Sequence, residues 1–237
     1  MKTVYVVSDL HMFCRRSQWE KHLDAIHEAA TVADMFIFNG DTVDFKWSCF
    51  STVSQTVLHA VRFFRELATK YPRCNFHVNL GNHDHVQPFI FALDALAREV
   101  DNFSWHPYYL RINNTIFLHG DVANRKMSHH QLERYRRRWD AYRNRRQGQI
   151  KNRVYDAAFR AGAHVAISKL AFPHRRTVKR VVAYLEDIGH ASTHGVEQVY
   201  FGHTHVPISG YQYGGVVFHN GGAPMEGIGF QLLKAVV

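Results

Sequence analysis

No apolar run in this 237-residue chain approaches the ~18 residues a membrane-spanning helix needs. The opening MKTVYVVSDL turns charged before a secretory signal could build up, so it reads as a strand and a cytoplasmic location is the expectation. Cysteine is scarce: Cys14, Cys49 and Cys74 are odd in number and lack a paired spacing, which argues against a disulfide framework and against a zinc-thiolate site. They are expected to be reduced, with Cys74 in the core. Six Pro and fifteen Gly are too few for collagen-like or low-complexity sequence. Acidic residues are also short, 20 against 29 Lys and Arg, for a net charge of +9. A basic chain tends to meet phosphate esters, nucleic acid or an anionic membrane surface.

What is present is a 46% apolar complement, enough for one domain over residues 1–237 and too much for a disordered chain. The runs at 4–7, 35–38, 76–80, 115–118, 198–201 and 216–219 are continuously apolar, as strands covered on both faces are. Helical patterns lie between the early ones. Residues 17–30 open with Ser17 and Glu20, spaced as a capping box. Residues 52–71 end before Pro72, and 88–100 begin with Pro88. The alternation predicts an α/β fold, parallel in its first half. The Gly-rich end, 206–237, reads as short antiparallel strands. Residues 124–190 read as a helical insertion or lid. From 124 to 185 it holds 17 Lys and Arg against Glu133, Asp140 and Asp156, with Tyr135, Trp139, Tyr142, Tyr155 and Phe159 interleaved. That local +14 leaves the rest of the chain at −5.

The eighteen His decide the chemistry. Acidic residues and His recur just after the apolar runs: Asp9-Leu10-His11, Gly40-Asp41-Thr42-Val43-Asp44, Gly81-Asn82-His83-Asp84, His119-Gly120-Asp121 and Gly202-His203-Thr204-His205. Strand carboxyl ends gather on one edge of an open α/β sheet, where ligands bind. A lone HxH or DxH arises readily by chance; five blocks at five strand ends do not. Unpaired polar groups gathered on one edge would be costly without a metal. Phe45 and Trp47, after the second block, suit core positions better than pocket walls.

These five blocks resemble the calcineurin-like metallophosphoesterases, whose pattern is D-x-H, G-D-x-x-D, G-N-H-[DE], H and G-H-x-H. The resemblance implies a four-layer αββα sandwich. It implies that Asp9, His11, Asp41 and His205 hold one metal and that Asp41, Asn82, His119 and His203 hold the other, with Asp41 bridging. Two divalent ions would activate a bridging hydroxide for in-line attack on phosphorus. A donor set without Cys suits Mn first, then Fe or Zn. His83 is the expected acid for the leaving oxygen, with Asp84 orienting it as a second catalytic residue. Asp44 would support a ligand from behind, and Asp121 would either orient His119 or cap the insertion's first helix. No residue is assigned to substrate binding.

Within the superfamily, the layout is similar to the UDP-2,3-diacylglucosamine pyrophosphohydrolase branch, which has an H-G-D block, a Trp after the second block and a helical lid at a membrane surface. That branch usually has Arg in place of His83, Glu in place of Asp44 and an acidic pair where Ser48-Cys49 stand. The expected reaction is hydrolysis of a phosphate ester or pyrophosphate on a small phosphorylated substrate. The alternatives are a nuclease resembling the SbcD group, its basic segment tracking DNA, and a non-enzymatic metal-binding scaffold.

Overall fold

The computed structural model describes residues 2–143, 163–235 and 237, and within them all six expected strands form. They are joined by four others. In chain order the strands are β1 (Val4–Val7), β2 (Met35–Asn39), β3 (Asn75–Asn79), β4 (Phe103–His106), β5 (Tyr109–Ile112), β6 (Thr115–Leu118), β7 (Gln198–Phe201), β8 (Ile208–Tyr213), β9 (Val216–Asn220) and β10 (Leu233–Ala235). The helices are α1 (Leu23–Val32), α2 (Val53–Lys70), α3 (Gln87–Glu99), α4 (His129–Arg143), α5 (Ala163–Ala171) and α6 (His174–Asp187). Residues 144–162 of the expected insertion, with Tyr155 and Phe159, lie outside the described residues. No described helix is long and apolar enough to cross a membrane.

The strands make two five-stranded sheets, ordered β10-β1-β2-β3-β4 and β5-β6-β7-β9-β8. Both sheets are parallel at their centres: β1, β2, β3 and β4 run together in the first, and β6, β7 and β9 in the second. Antiparallel strands are confined to the edges, β10, β5 and β8. The expectation of an antiparallel carboxyl-terminal part therefore holds for β8 and β10 and fails for β9. Strand β9 carries VVFHN, buried at alternate positions, and sits beside β7 in the sheet centre.

Side-chain alternation builds the layers. Phe36 and Phe38 of β2 pack with Ile26, Phe64 and Phe89 of the first three helices. Met35 and Ile37, on the opposite face, meet Phe117 and Tyr200 of the second sheet. Ile116, Leu118, Val199 and Phe201 face Leu132 of α4 and Val178, Val181 and Tyr184 of α6. The order is helices, sheet, sheet, helices, which is the expected αββα sandwich. Part of the segment read as an insertion thus supplies the fourth layer: α6 buries Thr177, Val178, Val181, Tyr184 and Leu185.

The helix starts show one correction. The box expected at Ser17 and Glu20 does not form. The Ser17 hydroxyl donates instead to the Leu10 carbonyl (2.5 Å) and accepts from Trp19 N (3.2 Å). A 3-10 turn, Trp19–His22, follows before α1 begins at Leu23. Capping boxes form instead at α2, where Thr52 accepts from Gln55 N and the Gln55 side chain accepts from Thr52 N, and at the start of α4, where Ser128 accepts from Gln131 N and the Gln131 side chain accepts from Ser128 N.

Candidate metal centre

The five His- and Asp-bearing blocks follow β1, β2 and β3 of the first sheet and β6 and β7 of the second. Backbone ladders continue past the strand ends and hold the loops together. Asp9 N donates to Gly40 O (3.0 Å), His11 N to Asp41 O (2.9 Å) and Gly202 N to His119 O (2.8 Å). The loops turn so sharply that Asp9, His11, Asp41, His203 and His205 all have positive φ, between 45° and 66°. Only Phe13 and Asn113 share that trait among the described non-glycine residues. Such conformations cost of order 1 kcal/mol or more each and cluster at functional sites. Gly81 and Gly202 are required by close approach. A Cβ at Gly81 would collide with Asp41 Oδ1, and one at Gly202 with Asp9 Oδ2.

The side chains converge in three groups whose donor atoms lie within 4.8 Å of one another: Asp9, His11 and His205; His11, Asp41 and His83; Asp41, His119 and His203. His11 Nε2 faces His205 Nε2 at 3.2 Å, and His205 Nε2 lies 3.3 Å from Asp9 Oδ1. His119 Nε2 lies 3.2 Å from both Asp41 Oδ2 and His203 Nδ1. Asn82 lines the same cavity, and its Oδ1 is buried without a hydrogen-bond partner. Buried polar atoms are normally paired, so facing imidazole nitrogens and an amide oxygen with no hydrogen-bond partner suit a cation as their common partner. The donors are carboxylate, imidazole and amide with no thiolate, which fits a divalent ion of intermediate hardness.

The electrostatics agree. Asp9, Asp41, Asp44 and Asp121 are each 2% exposed or less. Burial raises the Asp41 pKa, but the charges of His119, His83 and His11 and the His119 hydrogen bond outweigh it, leaving the carboxyl well below its usual range. Burial opposes charge on His11, yet its bond to Asp44 and the fields of Asp44, Asp41 and Asp9 push its pKa up to about 9. His119 behaves alike: Asp41 and Asp121 overcome burial and take it to about 10. His203 goes the other way, to about 4, under burial and the neighbouring His119. An edge that draws protons onto two buried imidazoles will also attract cations.

Asp44 lies behind His11 and also occupies the place beside His83 that was expected of Asp84. Asp44 Oδ2 accepts from His11 Nδ1 (3.2 Å), which turns His11 Nε2 toward the cluster. Its Oδ1 accepts from Lys46 N and Trp47 N and lies 3.2 Å from His83 Nδ1. The carboxylate beside His83 is therefore that of Asp44. Asp84 is fully buried and accepts from Thr42 N (2.8 Å) and Gly81 N (2.6 Å), bracing two loops. Asp84 directly follows His83 in the chain, yet its side chain turns back into the loops. Asp121 Oδ1 lies 3.2 Å from His119 Nε2.

A cavity of about 460 Å³ opens over the cluster. One wall is a run of cations and rings: Arg16 over Trp47 (4.7 Å), Lys46 between Trp47 (5.3 Å) and Trp139 (4.4 Å), and Trp139 against His83 (5.4 Å). Trp47 is thus a pocket residue, against expectation, while Phe45 packs on Phe89 in the core as expected. Sequence reasoning also missed Arg16 and Lys46 as walls. The cation-aromatic spacing of Lys46-Trp47 after a ligand block was the available signal.

The sequence model of the calcineurin-like phosphoesterases matches residues 2–207. No curated protein sequence matches the chain. One solved structure aligns over 98% of this chain and 98% of its own at 12% identity and a TM-score of 0.45, too loose a likeness to add to the argument.

Proposed function

Because the chain belongs to the calcineurin-like phosphoesterase family, we propose that it hydrolyses a phosphate ester or pyrophosphate bond with the help of two divalent cations. Asp9, His11, Asp41 and His205 would hold one, and Asp41, Asn82, His119 and His203 the other. The observation that carries this reading is the pair of donor groups, Asp9–His11–His205 and Asp41–His119–His203, linked through the group in which His11 and Asp41 meet. Mn²⁺ is the first choice, with Fe or Zn next.

Bound there, such cations supply Lewis acidity to the phosphoryl oxygens and lower the pKa of a nucleophilic water. The chain's own residues do the rest. His83, with a side chain 16% exposed at the cavity, delivers a proton to the leaving oxygen. Asp44 holds the Nδ1 side of that ring and fixes the tautomer of His11. Lys46 and Arg16 bring positive charge to the cavity wall, and Trp47 and Trp139 supply apolar faces. A cavity of about 460 Å³ walled by Trp139, Ile167 and Phe172 supports a small phosphorylated substrate over a nucleic-acid strand.

The test is hydrolysis by Mn²⁺-loaded protein of a phosphomonoester, a phosphodiester, a nucleotide-sugar pyrophosphate and single-stranded DNA, with Asp41→Asn as control. Metal-dependent turnover of a small substrate, abolished in the control, is expected. Preferred cleavage of DNA would favour the nuclease reading, and purified protein that binds no divalent metal would overturn the site.

A further inference from the structure

Four residues of α4 turn inward at helical spacing: Leu132, Tyr135, Arg136 and Trp139. Leu132 joins the core of the second sheet, and Tyr135 and Trp139 line the cavity. The fourth is an arginine only 1% exposed, and it is the sole buried Lys or Arg among the described residues. Its neighbour Arg137 is 71% exposed by side chain. Burying a guanidinium is costly unless every donor finds a partner. Arg136 Nε donates to Asp121 Oδ2 at 2.5 Å, Nη1 donates to the Pro107 carbonyl, and the guanidinium lies 5.1 Å from the Tyr108 ring centre. The other oxygen of Asp121 lies 3.2 Å from His119 Nε2 and 3.6 Å from His203 Nδ1, and it is buried with no hydrogen-bond partner.

We propose that Arg136 is a positioning residue for the cation site at His119 and His203, acting through Asp121, so that the seating of α4 and the affinity of that site are coupled. The inference rests on the two-cation reading above. Arg136 pins one oxygen of Asp121 and thereby sets the other against the two imidazoles. The planar fork also fixes the register of α4, and with it Tyr135 and Trp139 on the cavity wall. Lys would carry the charge without the fork.

Binding of Mn²⁺ alone tests it, measured by calorimetric titration of the full chain after chelation. Wild type should take up two ions; if it takes up none, the two-cation reading fails, whatever Arg136 does. With two ions bound, Arg136→Met should weaken one binding step by about 10- to 100-fold and spare the other, the usual penalty for losing an outer-shell partner. Asp121→Asn should weaken the same step, and the double variant should be no worse than Asp121→Asn. Arg137→Met should match wild type. Wild-type affinity at both steps in Arg136→Met, or additive losses in the double variant, would overturn the proposal. A purely structural role would lower thermal stability without singling out one step. Wild type gives a second test that needs no variant. Coupling is reciprocal, so Mn²⁺ should slow amide hydrogen exchange in α4 over residues 129–139. Equal exchange with and without Mn²⁺ would refute the coupling.

Discussion

Asn79 Nδ2 donates to Asn39 Oδ1 at 2.7 Å, across neighbouring strands and deep beneath the candidate metal centre. Each amide also reaches the facing sheet: Asn79 Nδ2 to Phe117 O, and Asn39 Nδ2 to Leu118 O and Tyr200 O, all at 3.0 Å. Two polar side chains thus stitch the sheets at the strand ends from which the ligand loops emerge. Asn39→Ala leaves the Leu118 and Tyr200 carbonyls without these donors in a buried interface. Chemical denaturation should show a loss of about 1–3 kcal/mol, and a loss under a few tenths would mean that water replaces the amide.

Gly81→Ala should damage the site more than the fold. The added methyl meets Asp41 Oδ1, so that carboxylate must move. Mn²⁺ affinity should fall at least tenfold with the far-ultraviolet circular dichroism unchanged. Unaltered metal uptake would show that the loop yields without cost.

His83→Gln keeps a polar side chain and removes the proton donor. The expected result is a fall in kcat of about 10²- to 10⁴-fold with metal content intact. Asp84→Asn acts elsewhere: it replaces an acceptor of Thr42 and Gly81 N–H groups with an amide. Its effect should appear as a lower melting temperature; a kcat loss as large as that of His83→Gln, at full stability, would restore Asp84 to a catalytic part.

The metal-free protein should have its stability maximum near pH 6.5. His11 and His119 have folded pKa values raised to about 9 and about 10, above the unfolded ~6.5. Their contribution is therefore complete below 6.5 and disappears as pH rises through 9 to 10. His203, lowered to about 4, contributes above 6.5 and is lost as pH falls toward 4. Mn²⁺ holds ligand imidazoles unprotonated and should flatten the alkaline slope. Melting temperatures from pH 5 to 10, with and without Mn²⁺, test this; identical alkaline slopes would refute it.

Trp139→Ala removes the ring between Lys46 and His83. A KM increase of about tenfold or more, with a smaller change in kcat, is expected if this wall binds substrate. Lys46→Ala should act in the same direction. A kcat effect alone in both would place them with His83 instead.

The site was legible because two independent signals coincide: apolar runs that end, and ligand-type residues at each end. Asp9, His11, Asp41, Asn82, His119, His203 and His205 do gather on one edge. The sequence was less informative where direction decides. Asp44 and Asp84 both follow candidate ligands, and nothing in their spacing says which carboxylate turns toward His83. Ser17 and Glu20 have capping-box spacing, yet the Ser17 hydroxyl is taken by Leu10 O. β4 and β5, FSWH and YLRI, are mostly half-buried, and so lack the continuous apolar run of the central strands. Arg136 sits in the run Arg134–Arg138, where composition suggests a solvated face and only the helical phase with Leu132 and Trp139 sets it apart.

Each of the two outer donor groups draws from both sheets. Asp9 and His11 follow β1 while His205 follows β7, and Asp41 follows β2 while His119 and His203 follow β6 and β7. A cation in either group is then a rivet through the seam of the sandwich. Its grip grows with metal supply: free ion at a hundred times its Kd adds about 2.7 kcal/mol against separation of the halves. Starved of metal, the same chain would keep its layers and the Asn39–Asn79 stitch but lose these rivets, so its lifetime in a cell would follow the availability of the ion.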